Sequence, residues 1–523
     1  MRNIYPLPES NNTPSEYANK IGLWYASQRS SEYKKKYGQY LTPLKVAIFM
    51  AKLFTPIEGT IRIADPGAGT GVLGCATVEY LTTSSNRLRE IELTVYEIDK
   101  EIIPYLTQSL DYTRRWLKER GIRFLYEIRS DDFILANAKA LNNVPSLFPE
   151  DNNINEFDYI VSNPPYFKLP KSDNRVKVTT HVVNGQPNIY ALFMAVAAAI
   201  LKPKGELVFI TPRSYAAGPY FKLFRERFFS MVNPSYIHLF GSRKDAFDKD
   251  AVLQENIILK AYKDNKHDKK AKVTVSFSQG LKDLDECVKK EVPLEDIIDF
   301  ESKNKVLRIP ITDKEDEIIE LVHKWKYNLH KLGMNISTGP VVPFRAKNYI
   351  SENKSNGNNY VPLLWMQSIK PMIVKWPADC RKPQLIEDSE KTRKLLVPNR
   401  NYILLRRFSA KEENRRLVAA PYLSNISDSD KLGIENHLNY IYRPKGILSL
   451  EETFGLSTLL NSKLLDMYFR TSNGNTQVSA TELRDMPLPP LETIKNIGQE
   501  ILSKKIENGQ IDKLIEKAIV HGA

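Results

Sequence analysis

The chain has 523 residues, 42% of them hydrophobic, and a formal charge of +13. That composition supports two or three packed domains, excludes wholesale disorder and suits a phosphate-bearing partner. The three cysteines, Cys75, Cys287 and Cys380, lack the paired spacing of a zinc site or disulfide framework; with no apolar signal core after Met1 and no apolar run longer than Ala191 to Leu201, a cytoplasmic, metal-free protein with no membrane partner is expected.

Residues 1–37 read as a helical leader. From Ile61 to about Tyr262, strand-like runs alternate with helical stretches, the pattern of an α/β fold with a largely parallel sheet. The predicted strands are Thr60–Ala64, Leu93–Tyr96, Phe124–Ile128, Tyr159–Val161, Glu206–Ile210, Ile237–Leu239 and Asn256–Ala261, seven in one mixed, Rossmann-like sheet. The lysine-rich stretch Lys263 to Lys272 reads equally as a solvated hairpin tip or a domain boundary. A strand Val273–Ser278 and a helix Lys314–Lys326 follow it, and 263–335 is taken as a linker and connecting segment. Short apolar runs, scattered Pro and Gly, and many aromatic and basic residues then mark a second, α+β domain at 336–523, behind a catalytic domain at 1–262.

The first strand runs into Asp65-Pro66-Gly67-Ala68-Gly69-Thr70-Gly71 and then a helical stretch, Val72 to Leu81. Glycines at a strand-to-helix turn permit positive φ and let backbone approach a nucleotide-like ligand. It is not a P-loop, because the Lys-Ser/Thr pair is missing. The next strand ends at Glu97, Ile98 and Asp99, placing a carboxylate where a ribose would lie, an acceptor for two hydroxyls that repels phosphate. The third ends at Asp131-Asp132-Phe133, where Asp132 could take an adenine amino group and Phe133 could cover the ring. Glu97 and Asp132 have a plainer reading as helix N-caps.

The decisive motif is Asn163-Pro164-Pro165-Tyr166 at the end of the fourth strand. An aromatic amine such as adenine N6 is a poor nucleophile, because its lone pair is delocalised into the ring. The Asn163 side-chain oxygen and the Pro164 carbonyl can each accept an amino hydrogen, drawing the nitrogen toward tetrahedral geometry and stabilising the developing positive charge. Pro165 stiffens the turn, and Tyr166 offers a flat face to a base that has left the duplex.

These motifs resemble the gamma class of amino-group DNA methyltransferases from restriction–modification systems, with the match covering roughly Lys36 to Tyr262. In that family a Thr-Pro motif precedes the glycine-rich turn, as Thr42-Pro43 does here. The resemblance implies S-adenosylmethionine as cofactor, held by Thr42, Asp65, Gly67, Gly69, Gly71, Glu97, Ile98, Asp132, Phe133, Asn163, Pro165, Ile189 and Phe193. It makes Phe247 a second aromatic clamp on a flipped base, with a core phenylalanine as the rival reading. It further implies a monomer acting on double-stranded DNA beside a separate restriction endonuclease of the same specificity.

Phosphate or base contacts are assigned to Lys168, Lys171, Arg175 and Lys177 in the loop after Tyr166, and to Arg406, Arg407, Lys411, Arg415 and Arg416 in the C-terminal domain, where arginine is the commonest reader of guanine. Asn436 to Tyr440 and Asn473 to Gln477 add amides suited to adenine or phosphate. Cytosine N4, which usually goes with Ser in place of Asn163, is the alternative target. RNA and a protein glutamine amide are further alternatives, because all present a planar amino group. The large basic C-terminal domain argues against the glutamine enzymes.

Overall fold

The computed structural model describes residues 6–30, 41–142, 156–183, 187–241, 256–352, 359–409, 413–473, 477–504 and 511–520. The chain divides into two compact units, one of residues 1–216 and 220–311, the other of 217–219 and 312–523.

The first unit is built on nine strands: β1 (Gly59–Pro66), β2 (Leu88–Tyr96), β3 (Arg123–Arg129), β4 (Phe157–Ser162), β5 (Leu201–Pro212), β6 (Val232–Phe240), β7 (Asn256–Lys263), β8 (Lys272–Ser278) and β9 (Val288–Pro293). Their order is β3-β2-β1-β4-β5-β7-β6-β8-β9. β1 pairs in parallel with β2 and β4, and β7 runs antiparallel between β5 and β6. This is the mixed, Rossmann-like sheet expected from the sequence, with two more strands than the seven predicted.

Both faces of the sheet are covered, and the period-2 alternation of apolar side chains decides which core each residue enters. Ile61, Ile63, Tyr159, Val161, Val208 and Ile210 enter one core, with the helices Leu44–Ala51, Val72–Ser84 and Ile103–Lys118. Ala64, Phe157, Ile160, Leu207 and Phe209 enter the other, with the helix Ile189–Ile200. That helix is apolar on every side because it is buried almost throughout.

The segment 263–335 is not a linker. β8 pairs with β6 and β9 with β8, so the sheet continues to Pro293 and the boundary between units falls between Ile311 and Thr312. The lysine-rich stretch is the turn from β7 to β8. It is tied down by Asn233, which donates to the Lys266 carbonyl (2.8 Å) and meets His267 (2.6 Å), and His267 stacks on Phe300 at 3.9 Å.

The second unit is α+β. Four antiparallel strands, Asn335–Thr338, Leu438–Tyr442, Tyr402–Arg406 and Ala419–Tyr422, form one sheet in that spatial order, and a five-stranded sheet holds Tyr360–Leu364 and Lys431–Ile434 among its members. The helix predicted at Lys314–Lys326 is Asp313–His323, started by a Thr312/Glu315 capping box. Toward the C-terminus, the helices Leu450–Leu460 and Leu491–Lys504 cross at two glycines. A Cβ on Gly455 would lie 1.9 Å from the Ile494 carbonyl oxygen, and one on Gly498 2.0 Å from that of Glu451. The backbones touch, so no side chain can shift to make room. Gly455→Ala is therefore expected to destabilise the second unit by about 2 kcal/mol or more, despite alanine's higher helix propensity. Urea unfolding of the full chain, followed by circular dichroism, measures this; a neutral or stabilising effect would contradict the crossing.

Candidate active site

Parallel sheets place ligands at the carboxyl ends of their strands, at the point where strand order reverses. Here that point lies between β1 and β4, paired through Ile63 with Tyr159 and Ala64 with Ile160. The turn after β1 and the turn after β4 are consequently neighbours. The Ser162 hydroxyl donates to the Pro66 carbonyl at 2.7 Å and fastens one to the other.

The β1 turn has the backbone its glycines require, with φ of +76° at Gly67, +57° at Gly69 and +86° at Gly71. The amides of Gly67 and Ala68 donate to the Tyr96 carbonyl, and that of Gly69 to Glu97 Oε2 at 2.9 Å. Glu97 Oε1 accepts from the Asp99 amide, so the carboxylate organises the turn as well as facing the cavity. Behind the turn, the helix Pro14–Ser27 approaches so closely that a Cβ on Gly22 would meet Thr70 Oγ1 at 2.8 Å.

A single cavity gathers most of the residues assigned to the cofactor. Thr42, Gly67, Gly69, Glu97, Ile98, Asp132, Phe133, Asn163, Pro165, Ile189 and Phe193 all line it. Ile98 is half exposed at its edge, an open apolar surface for a planar ring. Phe133 is buried and packs on Phe193 with ring centroids 5.2 Å apart.

Asp65 and Gly71 are not part of the lining. Asp65 is fully buried, and its Oδ2 accepts from the Gly74 amide at 2.8 Å, which anchors the first turn of the helix Val72–Ser84. Gly71 is that helix's N-cap, and a Cβ there would lie 2.9 Å from Leu106. Both shape the site from behind. Asp132 combines its two readings. It lines the cavity while its Oδ1 caps the helix Phe133–Asn137 through the Ile134 and Leu135 amides, both at 3.0 Å.

In the β4 turn, the Asn163 amide nitrogen donates to Thr42 Oγ1 (3.1 Å), and its oxygen accepts from the Tyr166 hydroxyl (2.6 Å). The same hydroxyl lies 3.0 Å from the Ile210 carbonyl. Thus Tyr166 is more than an open face: its ring is half buried, edge-on to Tyr190, and its hydroxyl fixes the amide it was expected only to accompany. Burial holds the Tyr166 pKa well above the usual phenol value, so the hydroxyl keeps its proton. Pro164 is buried in the turn.

Several of the residues assigned to DNA contacts have partners within the chain. Arg175 pairs with Asp173 (2.7 Å) and Asp132 (3.5 Å) and lines the cofactor cavity. Arg406 donates twice to the Ile369 carbonyl. Arg416 is completely buried on Ser409 and Asn473. Arg415 is half buried. Arg407 donates to the Asn436 carbonyl at 3.0 Å. Lys168, Lys171 and Lys177 are exposed. Phe247 and Lys411 lie outside the described residues. Sequence reading missed Leu41, Tyr96, Phe167 and Arg175 as cavity residues; Leu41 and Phe167 adjoin recognised motifs, which was the available signal.

Residues 70–247 match the Eco57I restriction-modification methylase family. The type II methyltransferase M.PstI of Providencia stuartii is 34% identical over 487 residues, covering 93% of both chains. The type II methyltransferase M.BsuBI of Bacillus subtilis is 34% identical over 91% of this chain and 94% of its own. The chain belongs to the type II restriction–modification methyltransferases. Among solved structures, a DrdV–DNA complex aligns with 95% of this chain and 60% of its own at 13% identity and a TM-score of 0.48. The family's cofactor is S-adenosylmethionine, and the cavity suits it: a carboxylate at the β2 end, glycines with positive φ and an exposed apolar edge.

Burial also sets the acid–base behaviour behind the site. Removal from water pushes Asp65 and Glu97 up to about 7, against backbone hydrogen bonds that act the other way. A carboxyl whose pKa is higher in the folded chain stabilises the fold below its ordinary value and loses that contribution as pH rises through about 7. Asp65→Asn keeps an acceptor for Gly74 and cannot titrate. Between pH 6 and 8 the wild-type melting temperature is expected to fall by about 2 °C more than that of Asp65→Asn. Parallel melting curves for the two proteins would refute a buried, titrating Asp65.

Proposed function

We propose that this type II methyltransferase transfers the methyl group of S-adenosylmethionine to N6 of an adenine flipped out of duplex DNA. The observation that carries the reading is the Asn163 amide, held between Thr42 and Tyr166 in the wall of the cofactor cavity. Thr42 takes the amide nitrogen, which leaves the oxygen as the group offered to an incoming amine. A carbonyl oxygen has two lone pairs, so one oxygen can accept from a hydroxyl and from an amino hydrogen together. With the Pro164 carbonyl as second acceptor, the amine is drawn out of conjugation before attack, at no cost in reorganisation.

S-adenosylmethionine, held by the residues of the cavity wall, would supply an electrophilic methyl on a sulfonium, with the C–S bond breaking as the N6–C bond forms and one N6 proton passing to solvent. The protein's part is to orient the amine, stabilise its positive charge and keep Tyr166 protonated. Asparagine at 163, where serine usually accompanies cytosine N4 chemistry, supports adenine as the target base. The second unit is read as the target recognition domain. A monomer working in the cytoplasm, alongside a separate endonuclease directed at the same sequence, fits this reading.

Asn163→Ala is expected to lower methyl transfer by at least about 100-fold while cofactor affinity changes by less than about threefold. Tyr166→Phe, which removes only the hydroxyl, should lower kcat by about tenfold. Single-turnover methylation and isothermal titration with the cofactor measure both. Near-normal turnover in a folded Asn163→Ala protein would sink the two-acceptor mechanism, and long-read mapping of DNA from expressing cells names the base.

A further inference from the structure

The loop that follows Tyr166 is a fixed part of the wall of the catalytic unit. It is pinned to the start of the helix Ile189–Ile200: the Leu169 amide donates to the Pro187 carbonyl (2.8 Å) and the Ile189 amide to the Phe167 carbonyl (3.0 Å). Leu169 and Val176 are buried in the same core as that helix. A short helix, Asn174–Val178, carries Arg175, whose side chain is 19% exposed. Asp173 holds this residue twice over. Its Oδ1 accepts from the Arg175 amide and from Nε, both at 2.9 Å, and its Oδ2 accepts from Nη2 at 2.7 Å. A bidentate pair of this kind fixes the plane of the guanidinium as well as the place of its charge.

The pair with Asp173 leaves Nη1 over, and Nη1 lies 3.5 Å from Oδ2 of Asp132. Asp132 Oδ1 is engaged by the Ile134 and Leu135 amides, so Oδ2 is the oxygen it offers to a ligand. Both residues line the cofactor cavity, as do Phe133 and Phe167. The cavity wall therefore carries a cationic donor and an anionic acceptor side by side, among aromatic rings. Arg175 is not one of the residues that the family resemblance assigns to the cofactor. Its small exposure and its place in the cavity also set it apart from the exposed Lys168, Lys171 and Lys177, with which it was grouped as a phosphate contact.

We propose that Arg175 recognises the adenine of S-adenosylmethionine, its Nη1 donating to a ring nitrogen beside the amino group while Asp132 accepts from the amino group itself. Adenine has a ring acceptor on either side of that group, N1 and N7, so each edge presents an acceptor next to a donor. A carboxylate alone reads half of the pattern. The guanidinium completes it, and its charge makes the hydrogen bond one of the stronger kind. Asp173 is the positioning residue that aims Arg175: a guanidinium held on a second carboxylate cannot swing away from the ring, and a fixed donor discriminates where a mobile one would adapt. The inference rests on the cofactor and is independent of which base is methylated.

Isothermal titration of the full-length chain in the absence of DNA tests this without turnover. The probes are S-adenosylhomocysteine, the demethylated product, and its 1-deaza and 7-deaza analogues, in which C–H replaces N1 or N7. One of the two analogues should bind the wild type roughly tenfold or more weakly than the parent, the loss expected for a charge-assisted hydrogen bond. Arg175→Met should weaken the parent by a similar factor and bind that analogue as well as it binds the parent. Arg175→Lys keeps the charge but cannot span both Asp173 and the ring, so it should lose the same discrimination. Wild-type affinities within about twofold for all three ligands would overturn the proposal. So would a deaza penalty that persists in both variants, or an equal loss for every ligand relative to a wild type that does not discriminate, because the ion pair would then only brace the loop.

Discussion

Parallel pairing of β1 with β4 is the constraint on which the rest of the catalytic unit depends. Strand order reverses there, so the helices that follow the two strands leave in opposite directions and open a crevice. Everything the chemistry needs is a turn on one side of that crevice or the other. The Ser162–Pro66 hydrogen bond, inside a dry wall, makes the separation of the two turns a fixed quantity. Glycines then set how near a ligand can come on one side, and prolines set how firmly the amide is held on the other.

The site is arranged in layers. Glu97, Asp132 and Asn163 face the cavity, yet each also holds backbone or side-chain groups of its own surroundings: the Gly69 and Asp99 amides, the start of the helix Phe133–Asn137, and the Thr42 and Tyr166 hydroxyls. Polar groups in such a place cannot be left half satisfied without a large desolvation penalty. Using one side chain for both tasks keeps the cavity in shape before any ligand arrives.

Much of the catalytic unit was legible because its signals are local. A strand, a glycine turn and a helix lie within 25 residues of one another, as do β4 and Asn163 to Tyr166, and alternation along each strand names its two faces. What was not legible depends on partners far away in the chain. β8 and β9 join the sheet through β6, so the lysine-rich turn before them read equally as a hairpin tip or a boundary. Arg406 and Arg416 looked like readers of DNA because their acceptors, Ile369 and Asn473, are remote. A buried arginine held by internal acceptors has the same sequence signature as an exposed one. The glycine crossing of Leu450–Leu460 with Leu491–Lys504 has no local signature either.

The bond from Asn163 to Thr42 ties together two walls of one cavity, from chain positions 121 residues apart. Neither side chain can turn without disturbing the other, so a ligand that engages one of them meets a partner already committed. Two binding events that each drew on one of these side chains would be linked, and linkage makes such an effect mutual.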